Sequence, residues 1–162
     1  IFKFSNTSRQ TMEIAGFLME KGIDFPKIID DSFFAKTYGQ AKLHGRAVLD
    51  SVRILDNRCV YTVVTTDELR EYGCTVKATD GIVDQLRIIE GIEIAFLLYQ
   101  TGNPDEYKVS LRTNSAVDVS RIAQSFGGGG HVKAAGCTMT GEPQEIVEKI
   151  SGKIREQWEE LK

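Results

Sequence analysis

Residues 127–136 read GGGGHVKAAG, and here residue type and spacing point most directly to chemistry. Consecutive glycines give up more conformational freedom on folding than any other residues and bring no side chain to a core. What Gly128, Gly129 and Gly130 offer is backbone that can take positive φ and lie close to another molecule. Successive amides in such a turn converge into an anion-binding nest. His131 follows at once and adds one or two N–H donors according to its protonation. Ala134, Ala135 and Gly136 keep the far side uncrowded. A short helix opening at Val132 would aim its N-terminal amides the same way, an arrangement suited to phosphate. The competing interpretation is a flexible linker, but strongly patterned segments flank the run on both sides. A Walker-type loop is disfavoured, because the Lys-Ser/Thr pair is missing.

A second group converges on the same chemistry. Ser110-Leu111-Arg112-Thr113 places Arg112 at the end of an alternating strand, and its planar fork suits bidentate phosphate recognition. Lys108, Ser110 and Arg112 share one strand face. Arg112, His131 and the glycine amides together form a metal-free phosphate cradle, with Thr113 as a neighbouring hydroxyl and Lys133 as a further candidate. Taken alone, Arg112 reads equally well as a surface residue on an exposed strand.

The elements that must position these residues can be followed along the chain. Phe2-Lys3-Phe4 reads as the end of an extended segment. Thr7 and Gln10 have capping-box spacing before a helix with Met12, Ala15, Leu18 and Met19 on one face, stopped at Gly22. Asp24 and Pro26 open a second short helix through Ile28, Ile29 and Phe33. Tyr38 to Leu55 has helical spacing, with Lys42, His44, Arg46 and Arg53 taken as a solvated basic face. Val60–Val64 reads as a strand. Thr65 and Glu68 cap a short helix that ends at Gly73, and Thr79-Asp80-Gly81 leads into a helical stretch, 82–89. The apolar run 92–99 is expected to be a buried central strand. It is paired through a turn at 101–106 with a return strand, 107–112. Ser115 with Asp118 caps a helix whose face is Val119, Ile122, Ala123 and Phe126, and this helix feeds the glycine loop. Residues 137–140 form one more strand. Gly141 and Pro143 then introduce a last helix with Ile146, Val147, Ile150, Ile154, Trp158 and Leu161 facing the core. This order makes an α/β fold, a mixed β-sheet flanked by helices, in which the hairpin rules out a purely parallel sheet.

Composition narrows the partners. The chain has 162 residues and a formal net charge of −3, which argues against a broad basic surface for duplex nucleic acid. A small site gripping one or two phosphates remains compatible. No apolar run is long enough for a membrane span. The three cysteines, Cys59, Cys74 and Cys137, show no CxxC spacing, so neither a disulfide framework nor a zinc site is favoured and a reduced, cytoplasmic compartment is expected. The two histidines, His44 and His131, and the pair Asp30-Asp31 offer no set of metal ligands. Opening on Ile1 suggests a piece of a longer polypeptide.

GGGGHVKAAG resembles the GGGHxxAAG signature of the DHH-associated domain, the C-terminal domain of DHH-family phosphoesterases. That family includes RecJ-like exonucleases, nanoRNases (oligoribonuclease and 3′-phosphoadenosine-5′-phosphate phosphatase) and cyclic dinucleotide phosphodiesterases. The Phe4-Ser5-Asn6-Thr7 opening is similar to the segment that closes the catalytic domain in nanoRNase-like members. The resemblance implies residues 1–35 as the tail of that domain, with 36–56 a connecting helix and 57–162 the substrate-binding domain. It implies Arg112, Thr113, Gly128, Gly129, Gly130, His131, Ala134, Ala135 and Gly136 as substrate-binding residues. The Asp-His-His ligands that name the family are absent, so no catalytic residue and no metal ligand is assigned here. Manganese is implied for the full-length enzyme, where it would activate water. The implied partners are short single-stranded RNA or a nucleotide phosphate and the N-terminal DHH domain of the same polypeptide, with room for a homodimer. Two alternatives stay open. One is the RNA-binding and assembly role that the same domain type has in alanyl-tRNA synthetases; the other is a stand-alone nucleotide-binding module.

Overall fold

The computed structural model describes Phe2 and residues 6–161. The extended opening expected at residues 2–4 therefore lies, apart from Phe2, outside the described residues, as does Ser5. The chain divides into two compact units, residues 1–37 and 38–162.

In the first unit, α1 (Arg9–Glu20) is capped by Ser8 and Thr11, one residue later than the Thr7/Gln10 spacing suggests. The shift lets the Ser8 hydroxyl accept from the Thr11 amide at 3.3 Å while the Ser8 amide donates to the Thr11 hydroxyl at 3.2 Å. Gly22 stops the helix with φ +80°. Asp24 caps α2 (Phe25–Ile29), which continues as a wider π-turn, Asp30–Phe34. Not one residue of these three elements is buried, although Met12, Ile14, Phe17, Leu18 and Met19 put apolar side chains on several sides of α1.

The second unit is a three-layer α/β/α structure. Its described strands form one mixed sheet in the order β1-β2-β3-β4-β6-β5. These are β1 (Val52–Ile54), β2 (Cys59–Val64), β3 (Ile94–Gln100), β4 (Glu106–Thr113), β5 (Gly129–His131) and β6 (Ala134–Thr140). Only β2 and β3 run parallel; the other pairs are antiparallel. β3 occupies the middle, and Ile94–Leu98 are all buried, which is why its sequence is continuously apolar where other strands alternate. One sheet face carries Ile94, Phe96, Leu98, Val109 and Leu111 under α6 (Val119–Gln124) and α7 (Pro143–Glu160). The opposite face carries Val60, Val64, Ala95 and Leu97 under α3 (Tyr38–Leu49) and α5 (Ile82–Arg87). The parallel crossover from β2 to β3 runs through α4 (Thr66–Glu71), a 3-10 turn at Val76–Thr79, and α5. The Thr65/Glu68 capping box of α4 forms as the spacing predicts.

Three expectations are corrected. The helix expected from Tyr38 to Leu55 stops at Leu49, and Val52–Ile54 instead adds an edge strand to the sheet. The β-branched Val52 and Ile54 alternate around Arg53, and the hairpin closes through Leu55, Asp56 and Asn57, all with φ between 53° and 62°. His44 is not part of a solvated face: it is 4% exposed. Its Nε2 lies 2.9 Å from the Ala78 carbonyl and its Nδ1 3.1 Å from Gln85 Oε1, tying α3 to α5. In the last helix, Ile146, Val147, Ile150 and Ile154 are buried, but Leu161 is exposed. Trp158 only half packs, offering its ring to the Arg58 guanidinium at 4.2 Å.

Candidate functional site

The glycine run is neither a nest nor the start of a helix. Its first half ends α6: Gly127, at φ +74°, donates to the Gln124 carbonyl at 3.0 Å, and Gly128 donates to the Ala123 carbonyl at 2.9 Å. These bonds consume the amides expected to face an anion and satisfy the orphan carbonyls of the helix end. Its second half is strand β5, joined to β6 by the two-residue turn Val132-Lys133. The helix expected from Val132 is therefore a hairpin. Its turn is pinned by Val119 donating to the Val132 carbonyl at 3.1 Å and Thr113 donating to the Lys133 carbonyl at 3.2 Å. Ala134, Ala135 and Gly136 begin β6.

Strand register then does the positioning. Arg112 pairs with Ala134, and Ala134 with His131. Directly opposed residues of antiparallel strands project from the same face, so Arg112, Ala134 and His131 form one row across β4, β6 and β5. Two strand spacings separate Arg112 from His131, about 10 Å, with only a methyl group between them. The next row on that face is Ser110, Gly136 and Gly129, and the one after is Tyr99, Lys108 and Thr138. A trough floored by small residues thus lies between two cationic or donor side chains. Arg112 and His131 are the partners that the sequence places together, and the fold juxtaposes them.

The glycines have different reasons to be glycine. A Cβ on Gly128 would run into the Gly136 carbonyl and come within 2.6 Å of the Cys137 Cβ. Gly130, at φ +144°, would bring one to 2.6 Å from the Ala134 carbonyl, and Gly136 one to 2.8 Å from that of Val109. Gly129 differs: a Cβ there meets nothing within 4 Å, and its φ is not in the left-handed range. Neither packing nor backbone conformation demands glycine at 129.

Arg112 is loosely held. Its Nε lies 3.5 Å from Asp84 Oδ1, which also lies 3.4 Å from Arg87 Nε, and its Nη1 donates to the Leu111 carbonyl at 3.0 Å. One carboxylate oxygen shared at long range by two guanidiniums leaves fork donors available. Arg87 is oriented by Asn114, accepting at 2.8 Å through Oδ1 and donating back to the Arg87 carbonyl at 2.7 Å. Sequence reasoning missed Asp84 and Arg87. They lie more than 20 residues upstream of Arg112, and no motif links them to it.

Other expected residues fall outside the trough. Thr113 is buried on the opposite sheet face; its hydroxyl donates to the Glu93 carbonyl at 3.2 Å and accepts from the Ser115 amide at 3.0 Å. Ala135 packs into the core beneath α6 and α7. Lys133 is anchored to the Ser115 carbonyl. Ser115 does not cap α6: Asp118 does so alone, accepting from the Ser120 and Arg121 amides. Gln157 of α7 clamps that helix start, accepting from the Asp118 amide at 2.9 Å and donating to its carbonyl at 3.0 Å. Among the described residues no three His, Cys, Asp or Glu side chains group as a metal ion requires. The described residues here do not fit manganese. No helix among the described residues is long and apolar enough to cross a membrane.

Comparison with known proteins adds a family. Residues 56–159 match the model of the DHHA1 domain. Over 157 residues the chain is 28% identical to the bifunctional oligoribonuclease and PAP phosphatase NrnA of Thermus thermophilus, covering 96% of this chain and 46% of that protein. A 40-residue stretch is 55% identical to the oligoribonuclease NrnB of Bacillus subtilis, covering 24% of this chain and 10% of NrnB. The crystal structure of an exopolyphosphatase-related protein from Bacteroides fragilis superposes with a TM-score of 0.87 at 22% identity, covering 96% of this chain and 45% of that one. The chain spans about half the length of the curated relative it matches along its whole course.

Proposed function

This chain belongs to the DHHA1 domain family, and from that membership we propose that residues 38–162 form the nucleotide-phosphate-binding domain of a DHH-family phosphoesterase. The parent enzyme hydrolyses short oligoribonucleotides or 3′-phosphoadenosine-5′-phosphate, the two activities in the name of its Thermus relative. The observation that carries this proposal is the row Arg112, Ala134, His131. Arg112 supplies a fork that matches phosphate oxygens, and His131 donates from at least one ring nitrogen in either protonation state. Ala134, Gly136 and Gly129 let the phosphate settle against the sheet.

Such a domain positions the substrate and leaves bond cleavage to the rest of the protein. Holding a phosphoester in line is worth several kcal/mol of a reaction barrier. Manganese, the DHH catalytic domain as intramolecular partner, RecJ-like exonuclease behaviour, a homodimeric state and a cytoplasmic location belong to the same proposal for the whole protein. The exposed apolar side chains of α1 fit the catalytic-domain partner, because an amphipathic helix packs its apolar stripe against a core.

Titration of a labelled, 5′-phosphorylated oligoribonucleotide against this chain tests the proposal. Arg112→Ala and His131→Ala should each weaken binding by about tenfold or more, since charge-assisted hydrogen bonds contribute roughly 1.5–3 kcal/mol, and added salt should weaken it further. Binding that survives both changes would overturn the cradle.

A further inference from the structure

On the opposite sheet face from the Arg112 row, a cavity of about 170 Å³ lies between the β1–β2 hairpin and α7. Its apolar wall is Ile54, Leu55 and Val147. Its polar wall is a stripe of α7: Gln144, Glu148, Ser151 and Arg155 recur at i, i+4, i+7 and i+11, the spacing that puts helix residues on a common face. Tyr61 of β2 also lines it, its ring held by stacking on Phe96 with 5.3 Å between centroids.

Three polar groups lining this cavity have no partner among the described residues. Ser151 is 5% exposed, and its Oγ is buried without a hydrogen bond, although a helical serine can back-bond to the carbonyl four residues earlier. A hydroxyl buried in this way is costly unless something completes it. The Tyr61 hydroxyl makes no hydrogen bond with a described residue, and the exposed Arg155 makes neither a hydrogen bond nor an ion pair with one. Glu148 accepts from the Gln144 amide at 3.4 Å and stands seven residues from Arg155, beyond the three- or four-residue spacing at which helix side chains pair. Opposite charges are thus held about 10 Å apart along α7, with Ser151 between them.

We propose that this cavity binds a small aliphatic amino acid. The ligand's carboxylate meets the Arg155 fork and accepts from the Ser151 and Tyr61 hydroxyls, completing all three unpartnered groups. Its ammonium donates to Glu148 and to the Gln144 carbonyl oxygen, which is left to accept because the amide nitrogen is turned to Glu148. Its side chain lies against Ile54, Leu55 and Val147. A cavity of about 150 Å³ holds a benzene ring, so this one has room for a branched aliphatic chain with the charged head group at its exposed mouth. Both charges of the ligand are selected: a plain carboxylate would meet Glu148 and a plain amine would meet Arg155, each a like charge. The sheet separates this cavity from the Arg112 row, so the inference stands apart from the phosphate site.

The test titrates L-leucine against the chain by NMR, beside 4-methylpentanoate, which lacks the ammonium, and 3-methylbutylamine, which lacks the carboxylate. Leucine should bind about tenfold more tightly than either analogue, the scale of one charge-assisted hydrogen bond. Arg155→Gln and Glu148→Gln, both on the exposed side of α7, should each weaken leucine by about tenfold without moving the melting temperature, and Arg112→Ala should leave leucine binding unchanged. No binding of leucine, equal binding of the three probes, or leucine affinity untouched by one or both α7 substitutions overturns the site. Leucine binding weakened by Arg112→Ala overturns its placement beside α7. None of these outcomes bears on nucleotide binding, which the oligoribonucleotide titration reads separately.

Discussion

Arg112 and His131 stand on the same face of one sheet with a single residue, Ala134, in register between them. They are 19 positions apart in sequence; α6 and β5 lie in the chain between them, and β6, which follows His131, sits between β4 and β5 so that they face across one methyl group. This pairing explains why a run of glycines precedes the histidine. Gly127 and Gly128 end the helix, and Gly129 and Gly130 return the chain along β6 closely enough to bring His131 into the row.

The different roles of these glycines separate folding from binding. Gly128→Ala and Gly130→Ala should destabilise the chain by about 1–3 kcal/mol or more, the scale of overpacking, because each new methyl group meets backbone. Gly129→Ala has open space around it and should leave the melting temperature unchanged while weakening the nucleotide phosphate by about tenfold, if the ligand lies against that backbone. Melting curves and titrations on the three variants decide the matter. An intact affinity in Gly129→Ala would move the ligand away from the strand.

Asp84 competes with phosphate for Arg112. Its Oδ1 sits at 3.5 Å from Arg112 Nε and 3.4 Å from Arg87 Nε, with the carboxylate side chain 42% exposed. Pairs this exposed contribute about 0–1 kcal/mol to stability. Asp84→Asn should therefore cost little stability and tighten phosphate binding by up to about fivefold, the equivalent of one such contact released. Weaker binding in that variant would show that Asp84 orients the arginine instead of competing for it.

Much of the architecture is legible in the sequence because it rests on local rules. The continuous apolar run at Ile94–Leu98, the Thr65/Glu68 box and the i, i+3, i+4, i+7 face of α6 each announce their element. The misjudged places are those where tertiary context decides. Val52–Ile54 is too short to show a period of its own and is a strand only because β2 lies beside it. The glycine run holds no periodic signal at all, so its division between a helix end and a strand emerges only from the carbonyls and strand that receive it. Thr113 carries the right functional group, but strand alternation turns it to the opposite face from Arg112. Asp84 and Arg87 reach the site through helix–sheet packing that no linear spacing records.

Burial should silence two of the three thiols. It pushes Cys59 up to about 12 and Cys137 up to about 11, and the thiolate is the reactive form. At about pH 8 the native chain should therefore label rapidly only at the half-buried Cys74, while all three cysteines react once the chain is unfolded. Mass spectrometry of a timed alkylation reads this directly. Fast native labelling of Cys137 would mean that the β4–β6 region opens far more often than the burial of Cys137 in the core implies.

Asp118 links the start of α6, and through it the glycine hairpin, to pH. Its carboxyl is held below the ordinary 3.8, first by the Ser120 hydroxyl, then by the Arg121 and Ser120 amides and the Arg121 charge, with burial opposing. A lowered pKa means that in this range the folded chain binds fewer protons than the unfolded chain. The stability contributed is then complete above the unfolded value and lost as pH falls through the folded one. Asp118→Ala should cost about 1 kcal/mol at neutral pH through loss of the cap. Asp118→Asn keeps an acceptor at the cap without the charge, so its urea midpoint should fall less steeply than wild type between about pH 5 and about pH 2. Parallel acid profiles for the two proteins would show that Asp118 takes no part in the acid lability of the fold.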